Sequence, residues 1–372
     1  MGWIHDSFMS IQKNKEAKLK TRPYQPKIVC IGGGTGISTM LRGLKHMTNH
    51  VTAIITVADD GGSSGMLRND LNIPPPGDIR NCILALAETE PIMEKLLQYR
   101  FEQGSLAGQN FGNLFLAAMT EITGGDFVTA VRQVSDVLKV TGRVLPVTAT
   151  DVNLVATLEN GKVVVGESQI GHAIHTYKSR IKKVCLVPKE AKDGIEIHPI
   201  SEALRAIETA DLITLGPGSL YTSVIPNLVV DGLADAIRKA SAPVVYINNI
   251  MTQPGETNGY SAFDHVTAVL DHTYPDLIDY CIVNTGRVPN DLLFKYIEDG
   301  ANTVKYDPTV FRTAGIKICE REMVQITADG LVRHNAEVLA DAMLDILTVH
   351  LNGRAQVSEE GVTVYNMGDI KK

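Results

Sequence analysis

The stretch "KIVCIGGGTGISTMLRGLKHMTNHVTAIITVADD", Lys27 to Asp60, decides the fold. A short apolar run ends in glycines, and a helical pattern with Leu41 and Leu44 on one face follows. "VTAIITVADD" then reads as a second buried strand. Strand, Gly-rich turn, helix, strand implies a parallel pair joined by a crossover helix.

Farther along, "LITLGPG", "PVVYINN" and "YCIVN" read as further strands, as does "KKVCLVP". Helical patterns separate them at "SEALRAIETA", "LVVDGLADAIRKA" and "SAFDHVTAVLDHT". The alternation predicts an α/β protein, a Rossmann-like, mostly parallel sheet with helices on both faces. Residues 79–140 look almost wholly helical and read as an insertion over one sheet edge, with Asp126 capping its last helix. Asn160-Gly161 and Asp329-Gly330 each sit between β-rich runs and predict hairpins. Asn335 is a candidate cap for a final helix. Residues 1–26 read as an extension, partly disordered, 27–350 as the nucleotide-binding domain and 351–372 as a tail.

Of the 372 residues, 44% are hydrophobic, enough for a large core, and the net charge of −7 argues against a nucleic-acid partner. No apolar run reaches the roughly 18 residues of a membrane span. The N-terminus shows no signal-peptide h-region, so a cytoplasmic protein is expected. The five cysteines match neither a CxxC zinc spacing nor a disulfide framework and read as small buried hydrophobes.

Ligands of open parallel sheets bind at the carboxyl ends of the strands. Four loops here leave predicted strands or lie beside them. The first carries Gly33, Gly34, Thr35 and Gly36 ahead of a helix N-terminus suited to an anion. Neither standard fingerprint is met: Ile37 stands where GxGxxG wants its last glycine, and no Gly-Lys-Ser/Thr follows. A tight structural turn is the alternative reading.

The second loop holds Asp59, Asp60, Ser63 and Ser64. One aspartate falls where dinucleotide folds bind ribose. Alternatively Asp59, Asp60 and Asp78 hold Mg²⁺, or the group only forms turns and caps. The run "VADDGGSSGMLRNDLNIPPPGDIRN", Val57 to Asn81, reads as one long loop. In its last part Asp78 would cap a helix beginning near Ile79. Arg80 in the first helical turn opposes the dipole unless an anion lies near.

The third loop, "LGPGSLYTSVIPN", offers Gly216, Gly218, Ser219, Leu220, Thr222 and Ser223 as a diphosphate cradle. The fourth, from Asn248, adds Asn249, Thr252, Gln253 and Glu256 for a base or sugar. Asn110 and Asn113 sit near a helix start, and Arg333 and His334 precede the last helix. The i, i+3 pair His172 and His175 lacks Cys or acidic partners for zinc.

Together these loops make the chain recognisable. "IGGGTGIST", "TVADDGGSSGMLR", "PPPGDIRN", "GPGSLYTSVIPN" and "NNIMTQPGETNGYSAFDHV" resemble the bacterial gluconeogenesis factor family (YvcK-like), within the 2-phospho-L-lactate transferase (CofD-like) superfamily. The resemblance covers roughly residues 27–350. It implies a UDP-sugar ligand, UDP-N-acetylglucosamine in particular. It also implies roles in cell shape, cell-wall precursor control and growth on gluconeogenic carbon sources. Tyr296 joins the ligand residues by the same resemblance. The superfamily's transferases use a guanosine diphosphate-linked donor, a deazaflavin acceptor and Mg²⁺. This chain departs from them after the aspartates and in its "GSLY" loop, so a non-catalytic binder is expected ahead of a Mg²⁺-dependent transferase. An NAD(P) oxidoreductase is weakest. No cofactor is required on this reading. A protein partner and a homo-oligomer are expected.

Overall fold

The computed structural model describes residues 24–190 and 195–357. Seven strands form one parallel sheet: β1 (Ile28–Gly32), β2 (Val51–Ile55), β3 (Arg143–Pro146), β7 (Leu212–Leu215), β8 (Val244–Ile247), β9 (Tyr280–Asn284) and β10 (Lys317–Arg321). Three more, β4 (Val152–Leu158), β5 (Val163–Val165) and β6 (Ile181–Pro188), make an antiparallel sheet, and β11 (Val324–Ile326) pairs with β12 (Val332–His334). The main order is β10-β9-β8-β7-β1-β2-β3. Chain order therefore reverses at β1, which pairs with β2 on one side and β7 on the other.

The central strands β1, β2, β7 and β8 are buried at every position. That is why they read as unbroken apolar runs: helices cover both faces of a parallel sheet. The helix Gly34–Leu44 buries Ile37, Met40, Leu41 and Leu44, an i, i+3, i+4, i+7 stripe. Four helices spanning Gly77 to Val137 form the expected insertion, and the first and last of them pack on edge strand β3. Asp126 caps the last, accepting the Thr129 N–H at 3.0 Å. Asn335 accepts from the Glu337 and Val338 N–H groups, and both expected hairpins are present.

Several expectations are corrected. The run Val57 to Asn81 is not one loop, since Gly62–Asp70 is a helix. Arg68 pins that helix to the antiparallel sheet. It is 2% exposed and reaches Asp151 at 2.7 Å, the Val152 carbonyl and Asn153. Strand β6 does not join the parallel sheet but runs antiparallel to β4. It buries Ile181 and Val184 and leaves Cys185 exposed, while the other four cysteines are buried. The last helix runs Ala336–Val357, past the expected boundary at 350. The expectations for residues 1–23 and 358–372 lie outside the described residues.

Candidate functional site

The reversal of strand order leaves a crevice above the carboxyl ends of β1 and β7, where open α/β sheets bind ligands. A cavity of about 600 Å³ fills it. Its floor is the loop Gly33–Gly36 facing Pro217–Ser219, with Thr222 and Ser223 beside them. One wall carries Asp59, Asp78 and Glu167, and the other Asn249, Thr252 and Gln253. Tyr296, Asp299, Arg333 and His334 close the far end.

The two glycine loops touch. A Cβ on Gly36 would stand 2.6 Å from the Pro217 carbonyl oxygen, so only glycine allows this approach. Asn249 holds Gly218 from both sides: its Oδ1 accepts the Gly218 N–H at 3.2 Å, and its Nδ2 donates to the Gly218 carbonyl at 2.7 Å. The Gly218 amide, which the sequence offered to phosphate, is thus paired with Asn249 in this structure.

The acidic wall is electrostatically costly. Burial, then the neighbouring Asp59 carboxylate, pushes Asp78 up to about 7, although the Gly34 N–H donates to it. Glu167 is pushed up to about 8 by burial and Asp59, opposed by a hydrogen bond with the Thr222 hydroxyl. Both side chains thus exchange protons near neutrality. At the far end burial pulls His334 down to about 4 while its Nε2 pairs with the Asn248 carbonyl at 3.0 Å. Tyr296 accepts the Val332 N–H at 2.9 Å, and Arg333 donates to the Val332 carbonyl at 3.0 Å.

Fifteen residues expected from sequence line this cavity, from Gly33 in the first loop to Arg333 in the last. The others have different work. Asp60 points away, its Oδ1 accepting the Ser168 N–H at 2.8 Å. Asp59, Asp60 and Asp78 therefore do not form a metal-binding trio, and among the described residues no three His, Cys, Asp or Glu side chains do. Ser63 donates to Gln109 at 2.8 Å and accepts from Asn110 N and Asn113 Nδ2, an interior network with all four residues buried. Asn110 also caps the helix Phe111–Ile122, and Ser64 is buried against Gly77. Leu220 is a core residue, and Gly216 pairs with the Ile31 carbonyl. Asn248 is buried and donates to the Ala262 carbonyl.

Asp78 does not cap its helix. That helix starts at Gly77 after Pro76, and Asp78 turns beneath the first loop. Arg80 lies outside the cavity, packed on Gly112 with Nη2 donating to Asn81. Burial and Arg100 pull it down to about 10, and its Nε and Nη1 are buried without a partner. Sequence reasoning missed Glu167, because nothing in the segment after the hairpin signals that it returns to the loop after β2, where the Ser168 N–H meets Asp60.

A model of the 2-phospho-L-lactate transferase CofD family matches residues 28–324. The chain belongs to this family. Among CofD-family relatives, the gluconeogenesis factor of Bacillus subtilis is 47% identical over 87% of this chain and 98% of its own length. The gluconeogenesis factor of Halalkalibacterium halodurans is 46% identical over 86% of this chain and 95% of its own. A crystal structure from Bacillus halodurans, of a UPF0052 family member, superposes with a TM-score of 0.81 at 44% identity, covering 86% of this chain and 100% of that one. The shared architecture is the seven-stranded parallel sheet with its two small antiparallel sheets, and it is the α/β class expected from sequence.

Proposed function

We propose that the crevice binds a UDP-sugar, UDP-N-acetylglucosamine in particular, and that the chain is a ligand-responsive regulator without turnover. The observation that carries this is one continuous cavity. It joins a Gly-rich helix N-terminus at one end to Tyr296 and Arg333 at the other, with amide and hydroxyl side chains between. A cavity of this size suits a ligand of several linked groups. The Gly33–Gly36 loop would take the diphosphate, Asn249, Thr252 and Gln253 the sugar or base, and Arg333 a phosphate or ring face. Function in the cytoplasm, in cell shape, in cell-wall precursor control and in growth on gluconeogenic carbon belongs to the same reading. So does output through a protein partner or a second copy of the chain.

One feature favours turnover instead. The carboxyls of Asp78 and Glu167 are pushed up to about 7 and about 8, which suits general acid–base work in a Mg²⁺-dependent transferase using a nucleotide-diphosphate-linked donor. Asp59 and Asp78 are the carboxylates that a divalent cation would meet in the crevice, and the cation would there offset charge on a diphosphate.

Thermal unfolding with UDP-N-acetylglucosamine, GDP and NAD, with and without Mg²⁺, tests binding. Ligand at 100 times its Kd stabilises by about 2.7 kcal/mol. Labelled UDP-N-acetylglucosamine incubated with pure protein tests turnover. Steady release of UDP that stops in Asp78→Asn would establish an enzyme in place of a binder.

A further inference from the structure

The loop after β7 ends in a π-helical turn, Leu220–Val224, whose first amides face an anion. The structure fills that place from within. Glu256, 1% exposed, accepts the Tyr221 N–H at 2.9 Å and also the Thr222 N–H. Ser219 Oγ lies 2.6 Å from both of its oxygens. Glu256 is carried by the loop after β8 and does not line the crevice.

The hydroxyl protons give this contact a direction. Ser219 Oγ stands 2.5 Å from Thr222 Oγ1, and one of the two donates to the other. Each hydroxyl has one proton to give. Ser219 donates to Glu256, whose carboxyl is raised by burial and lowered by these donors, so Ser219 in turn accepts from Thr222. The chain then runs from the crevice wall to a buried carboxylate with no proton to spare.

We propose that Glu256 is an internal anion that occupies the amide cradle of the β7 loop. A bound diphosphate is then held by the Gly33–Gly36 loop and by the Ser223 hydroxyl, the Ser219 and Thr222 protons being directed inward. A phosphate could enter the cradle only by leaving Glu256 buried and unpaired, which is prohibitive. Glu256 is thus a positioning residue, acting through Ser219 and Thr222. Its occupancy of the cradle is independent of the UDP-sugar reading; its effect on affinity rests on that reading.

Amide hydrogen exchange and ligand affinity in the full chain test this with Glu256→Ala and Glu256→Gln. Exchange across 219–224 should quicken about tenfold or more in Glu256→Ala, with β1 and β2 unchanged. Acetate restores the missing carboxylate, so it should slow that exchange again in Glu256→Ala and do nothing in the parent. A merely space-filling side chain gives no such rescue. UDP-N-acetylglucosamine should bind both variants about tenfold more weakly or worse. Unchanged exchange, absence of acetate rescue, or parental affinity in both variants would overturn the proposal. Should Glu256→Ala not fold, unchanged exchange in Glu256→Gln overturns it and quickened exchange supports it. If the parent itself does not bind UDP-N-acetylglucosamine, the UDP-sugar reading falls while the exchange and acetate arms still decide the role of Glu256.

Discussion

Gly36 and Pro217 lock the two glycine loops together, with room for no more than a hydrogen on the Gly36 α-carbon. The contact lies where β1 and β7 diverge, so it sets the width of the crevice floor. Gly36→Ala must push the loops apart. We expect a loss of about 1–3 kcal/mol of stability from overpacking. Ligand affinity should fall in parallel. Urea midpoints and titration with UDP-N-acetylglucosamine check this, and an unchanged midpoint would show that the loops yield freely.

Asp59 and Asp60 are neighbours with separate work. Asp60→Ala removes a charged acceptor from the Ser168 N–H and should cost about 1–3 kcal/mol with affinity nearly unchanged. Asp59→Asn should leave stability level or raised, because Asp59 pushes up both Asp78 and Glu167, and should alter affinity. The reverse pattern would place Asp60 in the crevice.

The carboxylates of the crevice make stability fall with rising pH. The native values for Asp78 and Glu167, about 7 and about 8, lie above the usual carboxylate range. The native state therefore binds more protons than the unfolded one. Their contribution is full below about pH 4 and is lost as pH rises through 7 and 8, a loss of order a few kcal/mol. His334 has the opposite sign, since its native value of about 4 makes stability rise between pH 4 and 6.5. Above pH 7 only the carboxylate trend remains of these three. Urea unfolding from pH 6.5 to 9 should show falling midpoints, flattened in Asp78→Asn and further in Asp78→Asn/Glu167→Gln. A flat parental profile contradicts it.

Arg333 and Tyr296 meet through Val332. Arg333→Ala should weaken UDP-N-acetylglucosamine binding by about 1.5–3 kcal/mol if the guanidinium meets phosphate. Tyr296→Phe leaves the Val332 N–H unpaired and should cost about 1 kcal/mol of stability. Calorimetric titration of the first and thermal unfolding of the second separate ligand contact from support.

Lys27 to Asp60 by itself determined the class of fold. Its strands are buried on both faces, so burial is written locally as continuous apolar runs. Its turn needs glycine, and glycine is visible in any sequence. The hairpins at Gly161 and Gly330 were legible for the same reason: a left-handed turn residue is a local requirement. Strands β3 and β10 went unread because they are edge strands that carry charge, Arg143 at the head of β3 and Lys317, Glu320 and Arg321 in β10. Tertiary structure alone decided which polar residues face the ligand. Asp59 and Asp60 are chemically identical in the sequence, and successive residues leaving a strand point to opposite sides. One meets the crevice and the other the Ser168 amide. Likewise the donors of the β7 loop looked free for phosphate until Glu256, from a loop 35 residues away, took the Tyr221 amide. A hydrogen-bond donor advertises need but not partner, and the partner is chosen only when distant loops are brought together.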